Sequence, residues 1–189
     1  MKFIVEPHNP KWLSQFAEVR KQLQEILKDV PIVAIEHVGS TSIPGLPAKP
    51  ILDIDIIVAR SSLELARSAL VGAGYLDAGE LNVPGRWVMR QPASDFQQET
   101  KGGIGVMKRH TYVCVEGCLS LRNHLDLKRV LLEDEELRKE YGNVKLELRE
   151  KEFVDMDEYC RGKNEVMFKI LRKAGWTEDE LEEVRKANL

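Results

Sequence analysis

Two aspartates one residue apart, Asp53 and Asp55, stand in the otherwise aliphatic run Ile51-Leu52-Asp53-Ile54-Asp55-Ile56-Ile57-Val58. On an extended strand, residues two apart project from the same face, so the two carboxylates share one small volume while Leu52, Ile54 and Ile56 fill the other side. Like charges so close are costly without compensation. A divalent cation is the natural compensator, and magnesium is suited to a shell of one or two carboxylates completed by phosphate oxygens and water. The plain alternative is a solvated pair at an exposed strand end.

Upstream, Gly39-Ser40-Thr41-Ser42 directly follows the β-branched run Ile32 to Val38. Consecutive backbone N–H groups and hydroxyls beside a glycine form a concavity suited to phosphate. It is no Walker loop, because the Gly-Lys-Ser order is missing. The alternative is an ordinary turn with serine caps. Lys49, close in sequence to the acids, and Arg109, in the basic triplet Lys108-Arg109-His110, are further candidates to neutralise phosphate. Each could equally be a solvated surface charge.

The elements needed to carry these groups are legible as pattern. Trp12 to Leu27 has helical spacing, Ile32 to Val38 and Ile51 to Val58 read as strands, and the breaker-rich stretch Gly39 to Pro50 joins them. Ser61 to Val71 reads as a helix, Arg86 to Arg90 and Arg109 to Val115 as strands, and Gln91 to Gly105 as a loop. Residues 126–189 hold 32 of the 59 charged residues, with apolar positions recurring at three-to-four spacing. That predicts amphipathic helices, the last opened at Thr177 by a capping box with Glu180. The expected architecture is α+β: a mixed sheet with flanking helices in residues 1–125 and a helical C-terminal layer in residues 126–189, packed as one compact unit.

Several classes are disfavoured. The chain has 28 basic and 31 acidic residues in 189, a net charge of -3, so no overall positive field favours nucleic acid. No apolar run approaches the roughly 20 residues of a membrane span, and the first residues lack a secretory pattern, so a cytoplasmic protein is expected. Three cysteines, Cys114, Cys118 and Cys160, fit reduced thiols better than a disulfide frame. Their spacing does not make a zinc knuckle.

Taken together, a strand, Gly39-Ser40, twelve residues, then Asp53-Ile54-Asp55 on the next strand resemble the nucleotidyltransferase (polymerase-β-like) superfamily. More narrowly, the stretch from Glu36-His37-Val38-Gly39-Ser40-Thr41-Ser42 to Leu52-Asp53-Ile54 looks like the GrpB-like family. The likeness extends more loosely to Leu121-Arg122-Asn123-His124-Leu125, to Tyr141 with Lys145, and to Tyr159 with Lys163. The resemblance implies a nucleotidyltransferase-like sheet and a transfer of a nucleoside monophosphate from an NTP to a small acceptor. Mg2+, with Mn2+ as the alternative, would be held by Asp53 and Asp55, and the phosphates by Gly39 and Ser40 with Thr41 and Ser42. The superfamily's third carboxylate departs from the pattern here. His110, Tyr112 and Cys114 take the alternate positions of their strand and no acid comes before Glu116. Either Glu116 or His110 then serves as third ligand, with His110 also a candidate base, or the site binds a nucleotide or phosphometabolite without turnover. A protein partner docked on the C-terminal helices is a further alternative.

Overall fold

The computed structural model describes residues 4–92 and 107–187. Most of the expected loop from Gln91 to Gly105 therefore lies outside the described residues. The described chain folds as α1 (Lys11–Ile26), β1 (Ile32–Val38), β2 (Leu52–Val58), α2 (Leu63–Gly72), β3 (Leu76–Asp77), β4 (Arg86–Arg90) and β5 (Arg109–Val115). Five further helices follow: α3 (Leu119–Glu133), α4 (Glu135–Arg149), α5 (Met156–Arg161), α6 (Asn164–Lys173) and α7 (Glu178–Ala187).

The sheet order is β1-β2-β5-β4-β3. Only β2 and β5 run parallel; the other neighbours are antiparallel. The architecture is a mixed five-stranded sheet with flanking helices, an α+β arrangement with a helical C-terminal layer. Alternation along β2 sends Leu52, Ile54, Ile56 and Val58 to one face, where they join Trp12, Val19 and Leu23 of α1 and Leu63, Ala66 and Leu70 of α2 in the main core. The opposite face carries Asp53, Asp55 and Ile57. Ile57 packs with Cys114 and with Leu121 of α3.

The helical layer has its own cores. Val130 and Leu131 of α3, Leu137 and Tyr141 of α4, and Val166 and Ile170 of α6 close over Ile43 and Leu46 of the loop after β1. Helix α3 runs through the boundary drawn at residue 125, because charge density rises within a helix that packs on the sheet at one end and on α6 at the other. The capping box forms at α7: Thr177 N–H donates to Glu180 Oε2 at 2.8 Å and Glu180 N–H to Thr177 Oγ1 at 3.3 Å. Asp134 caps α4 by accepting from the Leu137 N–H at 2.9 Å. Among the described residues no helix is long and apolar enough to cross a membrane.

Candidate active site

Strand register assembles the acid face. Asp53 lies opposite Val38 on β1 and His110 on β5; Asp55 lies opposite Glu36 and Tyr112. Directly opposed residues share a face, so Glu36, the two aspartates, His110 and Tyr112 form one surface. Each aspartate is held by an imidazole. His110 Nδ1 is 3.0 Å from Asp53 Oδ1, and His124 Nδ1, on α3, is 2.8 Å from Asp55 Oδ2. Tyr112 lies between the two rings, with centroids 6.4 Å from His110 and 5.8 Å from His124.

The two acids differ in surroundings. Asp53 is part-exposed at 32%, whereas the Asp55 side chain is fully buried. Its second oxygen, Oδ1, has no hydrogen-bond partner. A buried carboxylate oxygen without a donor is costly unless a cation completes it. The His110 pKa is raised, first by its hydrogen bond to Asp53 and then by that carboxylate's charge, against the cost of burial. Burial pulls the His124 imidazolium down, but the charge and hydrogen bond of Asp55, with Asp53 behind it, more than offset this and raise its pKa.

Gly39 ends β1 at φ +66°. A Cβ there would fall 2.3 Å from Asp53 Oδ2, so the backbone at Gly39 and the Asp53 carboxylate share space that only glycine leaves open. Ser40 to Ser42 make one 3-10 turn. Two of its hydroxyls hold the turn together. Ser42 Oγ donates to the Gly39 carbonyl at 2.6 Å, and Thr41 Oγ1 donates to the Ile51 carbonyl at 3.3 Å while lying 2.9 Å from His37 Nε2. Thr41 and Ser42 are buried, and their hydroxyls bond within the fold. Gly39 and half-buried Ser40 line a small crevice of about 50 Å³ with His124, Lys128 and Tyr141.

Arg109 is on the opposite face of the sheet from Asp53 and Asp55. It opposes Leu52, so alternation turns it to the main core, where its guanidinium donates to the Tyr75 hydroxyl at 2.7 and 3.2 Å. Strand parity thus does not bring Arg109 to the face that carries the acids. Glu116 is exposed just past the end of β5, where its N–H bonds the Val58 carbonyl at 2.9 Å, three residues along β2 from Asp55. His110, not Glu116, adjoins the acids. His37 lies on the opposite face, stacked on Phe16 with centroids 4.6 Å apart. Asn123 falls in the body of α3, whose cap position is Cys118.

Lys49 has its ammonium 3.9 Å from the centre of the Tyr159 ring, and Lys163 is 4.6 Å from the same ring. Lys145, on α4, is 3% exposed, 5.0 Å from the Tyr141 ring centre, and its Nζ has no hydrogen-bond partner. Burial and then the charge of Lys163 push the Lys49 pKa down to about 8. Burial, with Lys163 and Lys49 adding repulsion, pushes Lys145 well down, and Asp53 opposes the shift in both. Three ammonium groups therefore converge beside Asp53. For Lys145 the sequence signal is its spacing of four from Tyr141, which on α4 stacks ring and ammonium on one face. His124 was readable only as part of the Leu121 to Leu125 segment, since its approach to Asp55 depends on how α3 crosses the sheet.

No cluster of three or more histidine, cysteine, aspartate or glutamate side chains arranged to hold a metal occurs among the described residues. Two carboxylates, one with an unpartnered oxygen, fit a cation that takes the rest of its shell from phosphate and water. They do not fit a closed all-protein site.

The sheet and its paired acids define an α+β protein whose candidate site sets two carboxylates, each held by an imidazole, against the Gly39 turn. Residues 2–173 match the family described as GrpB protein, and the chain belongs to that family. It is 33% identical over 171 residues to UPF0157 protein SCO7215 of Streptomyces coelicolor, covering 89% of this chain and 82% of that one. It is 31% identical to UPF0157 protein YqkA of Bacillus subtilis, covering 84% of this chain and 43% of that one. Among solved structures it superposes on the conserved protein GrpB from Enterococcus faecalis with a TM-score of 0.72 and 26% identity, over 92% of this chain and all of that one.

Proposed function

We propose that the protein is a Mg2+-dependent nucleotidyltransferase, Mn2+ being the alternative ion, which moves a nucleoside monophosphate from an NTP to a small acceptor. The observation that carries this reading is the buried Asp55 with its unpartnered Oδ1, on one strand face with Asp53, whose carboxylate adjoins Gly39. The buried Asp55 oxygen lacks a donor and the buried Lys145 nitrogen lacks an acceptor, and Asp53, which adjoins Gly39, acts by its charge on that lysine. A metal-bound triphosphate satisfies both.

Asp53 and Asp55 would hold the metal, which when bound neutralises charge on the phosphate oxygens. The Gly39 and Ser40 turn, with Lys49, Lys145 and Lys163, receives the triphosphate. His110 takes the strand position of a third carboxylate and fixes Asp53 through Nδ1. In the transfer, the acceptor hydroxyl oxygen bonds to the α-phosphorus, the bond from that phosphorus to the bridging oxygen breaks, and pyrophosphate leaves. The hydroxyl proton passes to His124 Nε2, whose partner nitrogen is held by Asp55.

The test is label transfer from α-labelled ATP, CTP, GTP and UTP into a small-molecule extract, with and without Mg2+. Metal-dependent, pyrophosphate-releasing transfer that is lost in Asp53→Asn is expected. Nucleotide binding without any transfer would favour the silent binding module, for which the missing third carboxylate is the specific observation.

A further inference from the structure

A cavity of about 670 Å³ shares His124 with the Gly39–Ser40 crevice. Its walls come from the chain before β4, the start of α3 and the end of α7. His124 lines both spaces, so a group in the cavity meets the acid pair across one imidazole whose other edge is fixed on Asp55. The charge of the walls is lopsided: Arg60, Arg86 and Lys186 face a lone carboxylate, Glu183. Two wall residues also carry buried polar atoms without hydrogen-bond partners, Arg86 Nε and Asn123 Oδ1. A donor and an acceptor left unmatched beside a cationic opening mark a surface suited to a polar anion.

We infer that this cavity is the acceptor subsite and that the acceptor is a small hydroxylated acid, its phosphate or carboxylate held by Arg60, Arg86 and Lys186 and its hydroxyl presented to His124. The inference rests on the transferase reading for the word acceptor, but the anion site stands on the cavity itself. The volume suits a small metabolite rather than a polymer. A nucleoside triphosphate does not need this space, because under the proposed function its phosphates are already assigned to the Gly39–Ser40 turn and the three lysines.

Cys118 lines the cavity, and its hydrogen bond with Cys114 lowers its pKa to about 6, which makes it a reporter inside the site. In a Cys160→Ser background, Cys118 is modified with 2-sulfonatoethyl and with 2-trimethylammonioethyl methanethiosulfonate, each rate divided by that for a cysteine peptide. The anionic reagent is expected to be favoured at least ten-fold, and Arg60→Glu with Lys186→Glu, both exposed positions, to abolish the preference. Glycerol 3-phosphate or glycerate is expected to slow modification several-fold at matched ionic strength while glycerol does not; whichever acid protects better identifies the anchoring group. No preference for the anionic reagent, or equal protection by glycerol, overturns the inference. Because the labelling uses neither nucleotide nor metal, a positive result beside absent nucleotide binding would sink the transferase reading and leave an anion site. The reverse pattern would sink only the acceptor assignment.

Discussion

Gly39 and Asp53 occupy one another's space: the position of a Cβ on the glycine is 2.3 Å from Asp53 Oδ2. The phosphate turn and the acid strand are therefore built as a unit. Gly39→Ala is expected to displace the Asp53 carboxylate and, with φ at +66°, to strain the backbone, costing about 1–2 kcal/mol of stability and more than ten-fold in magnesium-nucleotide affinity. Calorimetric titration beside a denaturant melt checks both.

The Lys145 ammonium is buried and has no hydrogen-bond partner, a cost that a bound anion would repay. Lys145→Met keeps the volume and removes the charge. It is expected to stabilise the ligand-free protein by about 1–2 kcal/mol while weakening NTP binding at least ten-fold. Loss of stability with unchanged nucleotide affinity would show that the lysine serves the fold instead.

His124→Ala removes the imidazole that holds the buried Asp55 and leaves that carboxylate without a donor. A loss of about 3–5 kcal/mol is expected when one partner of a buried pair is deleted. His110→Ala, at the part-exposed Asp53, should cost much less. Urea melts of the two variants give the comparison directly.

His37 contributes to the pH dependence with a sign opposite to that of His110 and His124, whose raised pKa values favour the fold as pH falls. Burial, with Lys128 repelling and Asp53 opposing, lowers the His37 pKa to about 4 from an ordinary 6.5. The unfolded chain binds the extra proton between these values, so the His37 contribution to stability falls as pH drops through that window, and stability is insensitive to this group above it. Between pH 7 and 5 the loss from His37 should be about 2 kcal/mol. In His37→Gln, which keeps a donor for Thr41, that part of the slope should vanish.

Much of this was legible in the order of residues. The alternation in Leu52 to Val58 places both aspartates on one face, and Gly39-Ser40 marks the turn, because a strand's period of two is a local property. Arg109 shows where local reading stops. One residue before His110, it had to turn away from the acids, and that parity is set only when β5 pairs with β2. His124 and Lys145 lie 69 and 92 residues beyond Asp55 and Asp53, and helices bring them back by packing that no spacing encodes. That the Thr41 and Ser42 hydroxyls bond the Ile51 and Gly39 carbonyls was likewise not legible, since it depends on how the turn folds back.

The most direct test is a thermal-shift panel of ATP, CTP, GTP and UTP with and without Mg2+, on the native protein and on an Asp53→Asn, Asp55→Asn double variant. A ligand bound only by the native state raises the melting temperature by mass action. The account predicts a magnesium-dependent rise with at least one nucleotide that disappears in the variant. A cooperative melt unmoved by any nucleotide, or an equal rise in the variant, would contradict it.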